Sequence, residues 1–270
     1  MAVSIERGLV NTDMGHIHYR AAGHGRPVML FHINQQSSAL MLELIEALAA
    51  DFRVVAMDYP SHGASDHVSE QPDFGDYAGC AIALMDALGI ARTAVLGEAV
   101  GAGVCVEIAN AYPDRVDKVV LVNCPFSPDR TRTATHVREL QSGLRPADAS
   151  GFPLTRTIGF MLENDPAHAP IQPTQSWMDR INTAQMEVGR DRWQAVTALA
   201  NFDMEGGLRR LARPTLLLVG EHFYYVRFLD EVIARVKDLR HQVLAGARFC
   251  MSWERADEIA RNAREFLASS

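Results

Sequence analysis

No stretch of the 270 residues stays apolar for the roughly 18 positions that a bilayer-spanning helix needs. The opening residues, Met1 to Arg7, lack the apolar middle of a secretory signal peptide. Neither a membrane span nor export is therefore expected, and a cytoplasmic location is. There is no run of lysine and arginine, and the net charge is -7, so nothing offers an electrostatic footprint for nucleic acid or an anionic membrane. The four cysteines, Cys80, Cys105, Cys124 and Cys250, form no CxxC or Cys/His pattern, which argues against both a zinc site and a disulfide framework. Gly97, Gly101 and Gly103 do not have the spacing of a dinucleotide fingerprint. No metal and no cofactor is expected, and the expected partner is a small, neutral or weakly charged molecule. Internal repeats and low-complexity tracts are also missing, and the sequence leaves the oligomeric state open.

With 48% apolar and 22% charged residues, the chain can bury a large core as one domain with an insertion. Val3 to Leu9 and His16 to Ala22 alternate around a turn and read as a hairpin. Pro27 to Phe31 reads as a strand covered on both faces and Val116 to Val122 as a further buried strand, while Arg53 to Met57, Thr93 to Leu96, Thr215 to Val219 and the short Gln242 to Leu244 read as strands. Helical periodicity occupies Ser37 to Ala50, Gly75 to Leu88, Ala102 to Ala111, Val226 to Val236 and Trp253 to Leu267. This alternation predicts a mostly parallel sheet with helices on both faces. It breaks between Phe126 and Asp203, where Pro128, Pro146, Pro153, Pro166, Pro170 and Pro173 recur and helical stretches such as Trp177 to Met186 replace strands. The predicted division is a core of residues 1–125 and 204–270 with a helical lid over residues 126–203.

Three motifs carry a resemblance. Val95 to Gly103 is an apolar strand entering a glycine-rich turn and leaving as a helix. Asp58-Tyr59-Pro60-Ser61-His62-Gly63-Ala64-Ser65 matches a D-x-x-G-x-G-x-S loop with Ser61 at its first glycine. Tyr112-Pro113-Asp114-Arg115-Val116 precedes a buried strand. In their order and spacing these resemble the lid-bearing branch of the α/β-hydrolase superfamily, which implies an eight-stranded sheet and a nucleophile elbow. That family attacks substrate with a serine, deprotonated by a histidine that a carboxylate orients. On this chain the resemblance places Ala99 at the nucleophile position, Phe223 at the acid position and Phe249 at the base position. All three are apolar, so a degenerate triad in a drier pocket is expected. The oxyanion hole would keep the Val100 N–H, while Ile33, where the family has glycine, is a poor residue for a positive φ.

Other side chains must then carry any chemistry. Glu98 precedes the apex, where burial would raise its pKa toward the range useful for acid-base work; the blander role is structural support of the turn. His32 could act as acid or base, or merely hold its loop together. Asn34, Gln35 and Gln36 could bind a carbonyl or hydroxyl, or brace the loop. Tyr224 could polarise a substrate oxygen, and His222 beside it is a weaker candidate. Cys250 would be a nucleophile only if a cation lowered its pKa. Trp177, with Met178 and Met186, is a lid residue that would face ligand or core.

The leading expectation is a non-hydrolytic enzyme of lyase, isomerase or cyclase type. It would have Glu98 and His32 as catalytic groups. Its small apolar oxygenated substrate would lie among Asn34, Gln35, Ala99, Val100, Trp177, Phe223, Tyr224 and Phe249. The alternatives are an inactive binding or regulatory protein and an atypical hydrolase using water activated by Glu98.

Overall fold

The computed structural model describes residues 3–129 and 174–269. Its strands are β1 (Glu6–Thr12), β2 (Gly15–Ala22), β3 (Arg26–Phe31), β4 (Phe52–Met57), β5 (Thr93–Glu98), β6 (Val116–Val122), β7 (Thr215–Gly220) and β8 (Leu239–Leu244). They form one eight-stranded sheet in the order β1-β2-β4-β3-β5-β6-β7-β8. β2 runs antiparallel to β1 and β4, and the pairs from β4 to β8 are parallel. The reversal of strand order around β3 and β5 opens a crevice at the carboxyl ends of these strands, the usual ligand position in such sheets.

The period of two along each central strand divides its side chains between two cores. Val95, Val119, Leu121, Leu217 and Val219 point to one face, and Leu96, Val120, Val122, Leu216 and Leu218 to the other. The first face is covered by α2 (Phe74–Ala87), α3 (Val100–Ala111), α5 (Gln194–Asn201) and α6 (Met204–Arg210), with α7 (Leu229–Ile233) at its side. The second is covered by α1 (Leu42–Leu48) and α9 (Ala256–Ala268). Burial of each such Val or Leu is worth about 1.5–3 kcal/mol, so the central strands anchor both cores.

Local signals explain most element ends. The Asp73 carboxylate accepts from the Asp76 N–H while the Asp76 carboxylate accepts from the Asp73 N–H, a capping box that starts α2 at Phe74. Ser37 caps the turn of 3-10 helix Ser38–Met41 that leads into α1. Five expectations need correction. The first strand spans Glu6–Thr12 rather than Val3 to Leu9, because its pairing with β2 continues to the turn at Asp13-Met14. The helix expected over Ser37 to Ala50 is the 3-10 turn Ser38–Met41 followed by α1. β8 begins at Leu239, three residues before the predicted strand, because backbone pairing with β7 recruits the exposed Arg240 and His241. The helix expected over Trp253 to Leu267 is two helices, α8 (Met251–Glu254) and α9, broken where Arg255 leaves helical geometry at φ -126°. The helix expected over Val226 to Val236 is a short 3-10 turn followed by the five residues of α7.

Within the predicted lid, residues 130–173, including Pro146, Pro153, Pro166, Pro170 and Pro173, lie outside the described residues. The remainder contains α4 (Gln175–Val188) and α5. α4 lies across the strand ends, where Trp177, Ile181 and Ala184 pack in one apolar cluster with Ile33, Leu40, Ala99 and Cys250. Arg180 on α4 also donates to Glu43 of α1 and to the Ala39 carbonyl. No helix among the described residues is long and apolar enough to cross a membrane.

Candidate functional site

The turn between β5 and α3 has the geometry of a nucleophile elbow. Ala99 sits at φ 51°, ψ -111°, a region that a residue with a side chain occupies only under strain, at a cost of about 1–3 kcal/mol. Two glycines make the bend possible. A Cβ on Gly97 would lie 2.1 Å from the Gly101 carbonyl oxygen, and one on Gly101 would lie 2.1 Å from the Phe31 carbonyl oxygen. Val100 is the first residue of α3; its side chain is buried in the core, and its backbone N–H is among those at a helix start that have no intrahelical acceptor. Ile33 is not asked for the positive φ that would strain it; Gln35 takes that conformation instead, at φ 60°.

The loops after β7 and β8 bring Phe223 and Phe249 together. Their rings are nearly parallel, at 9°, with centroids 6.1 Å apart. Phe249 packs both on the core that holds Phe223 and on the cluster that holds Ala99, so its ring borders both apolar groups. Tyr224 lies at the surface: it is 46% exposed, with the Arg227 guanidinium 4.4 Å above its ring. His222 is bound through its backbone N–H to the Ala247 carbonyl.

Glu98 is buried and lies at the centre of a hydrogen-bonded knot. Its Oε1 accepts from the Met251 N–H at 2.7 Å and the Asn123 Nδ2 at 3.4 Å. Its Oε2 accepts from the Ser252 N–H at 2.9 Å and the Ser252 hydroxyl at 2.5 Å. Burial raises the Glu98 pKa above the ordinary carboxylate value, against the opposing pull of these donors. Asn123 extends the knot by donating to the Arg248 carbonyl at 2.7 Å and accepting from the Gly220 N–H at 2.9 Å. The ends of β5, β6 and β7 and the loop that presents Phe249 are thereby tied to one carboxylate. Asn123 and Ser252 escaped the sequence reading because they lie 25 and 154 residues from Glu98 and belong to no motif.

His32 is similarly engaged. Its Nδ1 is 2.7 Å from the Ile33 carbonyl oxygen and therefore carries the proton, and its Nε2 accepts from the Tyr59 N–H at 3.4 Å. Burial, then the neighbouring His62, push its pKa down to about 3, so the ring is neutral. Both nitrogens expected to do chemistry face backbone instead. Burial, with Glu98 and Glu254 nearby, pushes the Cys250 thiol up, the opposite of what a thiolate nucleophile needs.

A cavity with ≈ 20 Å³ of room for water-molecule centres adjoins the knot, lined among others by Gln36, Glu98, Cys250, Ser252, Trp177 and Trp253. Trp177 and Trp253 stack, with centroids 4.2 Å apart. Asn34 and Gln35 do not reach this lining; Asn34 is half-buried, and Gln35 accepts from Gln185 of α4 through its carbonyl and its amide oxygen, both at 3.3 Å. Gln36, their neighbour, does reach it, and its Oε1 is buried without a hydrogen-bond partner. Among the described residues no group of three or more His, Cys, Asp or Glu side chains is arranged to hold a metal ion.

The chain matches the family model of the alpha/beta hydrolase fold over residues 26–222. It is 26% identical to a 2-hydroxy-6-oxo-6-phenylhexa-2,4-dienoate hydrolase of Comamonas testosteroni, covering 93% of this chain and 91% of that protein. It is 27% identical to a non-heme haloperoxidase of Rhodococcus erythropolis, covering 96% and 98%. The crystal structure of a hydrolase from Pseudomonas aeruginosa PA01 superimposes with a TM-score of 0.82 at 20% identity, covering 98% of this chain and 99% of that one. The topology, the elbow and these likenesses together make this chain a member of the α/β-hydrolase fold family.

Proposed function

We propose that this protein does not use the serine route of its family, and that its site binds a small, mainly apolar oxygenated molecule without hydrolysing it. What supports the reading is Ala99 at the apex of the elbow together with the near-parallel Phe223 and Phe249 rings: at the positions that the resemblance gives to nucleophile, acid and base stand a methyl group and two phenyl rings. None of these three side chains can attack a carbonyl or accept a proton. The two groups expected to be catalytic, Glu98 and His32, are occupied by backbone and neighbouring side chains, which favours binding over catalysis by either. Relatives named for a phenylhexadienoate and for halogen chemistry are consistent with a small organic ligand. Four buried free cysteines agree with a reducing, cytoplasmic setting.

A second reading, a non-hydrolytic enzyme of lyase, isomerase or cyclase type, is favoured by the unpartnered Gln36 oxygen beside the Glu98 knot, since an unsatisfied polar group in a cavity is a common mark of a site that positions substrate. Hydrolysis by water activated at Glu98 is disfavoured because both carboxylate oxygens already accept two hydrogen bonds.

The deciding experiment is release of p-nitrophenol from short and medium acyl esters, run with fluorophosphonate labelling. The wild type is expected to stay at the buffer rate and to take no label. Hydrolysis above the buffer rate that disappears in Glu98→Gln would sink the proposal and restore Glu98 as a base.

A further inference from the structure

We infer that the cavity between Gln36 and the Trp177–Trp253 pair is the recognition end of the ligand site, and that it seats the hydroxyl group of a neutral alcohol; this rests on the small-molecule reading above and specifies its ligand. Gln36 is only 1% exposed, lines the cavity and leaves Oε1 without a partner. A buried acceptor in this state is costly, and a ligand donor placed against it recovers that cost. A hydroxyl matches best because it donates and accepts at once, and so pairs with an amide in either orientation.

The described walls disfavour charged ligands. Among the described residues the lining contains no lysine or arginine, and its histidine, His32, is neutral. An anion would therefore meet the Glu98 carboxylate with no compensating cation. An ammonium would feel the attraction of Glu98, but both carboxylate oxygens already accept two hydrogen bonds each, so the Gln36 oxygen alone would stand in for the hydration it loses. The ≈ 20 Å³ open to water-molecule centres suits a group the size of a water molecule, so only the ligand's hydroxyl enters here, between Gln36, the stacked indoles and Ile33, Leu40 and Met41, and the ring or chain attached to it stays outside.

The test uses three probes that share one ring: cyclohexanol, cyclohexanecarboxylate and cyclohexylammonium. Each is titrated against the full chain and followed by tryptophan emission, because two indoles form the wall. Cyclohexanol is expected to give a saturable change and the two ions none at matched concentration. Gln36→Met is expected to weaken cyclohexanol binding at least about five-fold with an unchanged circular dichroism spectrum. Gln36→Asn, which keeps the amide but withdraws it by one methylene, is expected to do the same and serves if the methionine variant does not fold. Equal binding of either ion, unchanged affinity in both variants, or no saturable signal from cyclohexanol would overturn the inference. None of these outcomes bears on loss of the serine route, which the ester and fluorophosphonate assay judges separately.

Discussion

Asp58 and Glu98 are both buried carboxylates near the carboxyl ends of parallel strands, each 1% exposed, yet they titrate in opposite directions. At Asp58, burial pushes the pKa up, but the His18 hydrogen bond at 2.8 Å and the Ser38 N–H at 2.5 Å help bring it below the ordinary value. At Glu98, burial outweighs the four donors and leaves the pKa raised. The difference is the kind of partner. Asp58 has a histidine, which can carry charge; Glu98 has amide and hydroxyl dipoles. A carboxylate that anchors several loops can thus look like a general base by its pKa alone, and its hydrogen bonds are the better guide to its role.

The largest effect that would sharpen this contrast is expected from Glu98→Ala. It strands the Met251 and Ser252 N–H groups, the Ser252 hydroxyl and the Asn123 amide, and should cost at least about 3 kcal/mol, read as a fall in the urea midpoint. Asp58→Ala strands three donors, from His18, Ser38 and Ala64, and should cost about 2–3 kcal/mol by the same measurement.

The isosteric amides separate the two sites further. In Asp58→Asn an NH₂ in place of Oδ2 can donate to His18 after a change of tautomer and strands only the Ala64 N–H, whose bond is long at 3.2 Å, so the loss should stay near about 1 kcal/mol. In Glu98→Gln an NH₂ must face a backbone N–H that cannot change role, so the loss should be about 1–2 kcal/mol. A larger loss in Asp58→Asn than in Glu98→Gln would break the comparison.

The smallest effect is in pH dependence, at most about 1.4 kcal/mol per pH unit for one proton. A lowered carboxyl stabilises the fold above its ordinary value and loses that contribution as pH falls, so the advantage of the wild type over Asp58→Asn should shrink below pH 3.8. A raised carboxyl behaves in reverse. The advantage over Glu98→Gln should be greatest below pH 4.5 and shrink as pH rises above it. Stability curves of the two variants with the same slope would contradict the assignment of partners.

How far the sequence could be read follows from which forces are local. Gly97 and Gly101 announce the elbow because no side chain fits there, and alternating apolar strands announce the sheet. The opposition of Phe223 and Phe249 also follows from motif order, since the loops after β7 and β8 converge in this fold. The Glu98 knot could not be read, because Asn123 and Ser252 reach it only through the sheet topology. Nor could the choice of Gln36 over Asn34 and Gln35 for the cavity. That choice depends on the left-handed turn at Gln35, which one amide among three does not reveal.

The strained backbone of Ala99 has an evolutionary consequence. Alanine and serine codons differ by a single base, and the turn that would raise a serine hydroxyl to the apex is already built and held by Gly97 and Gly101. Phenylalanine lies two base changes from either aspartate or histidine. Any route from this sequence to serine chemistry is therefore uneven: a serine at the apex is one base change away, but the stacked Phe223 and Phe249 rings offer it no proton acceptor, so that change alone gives selection nothing to keep.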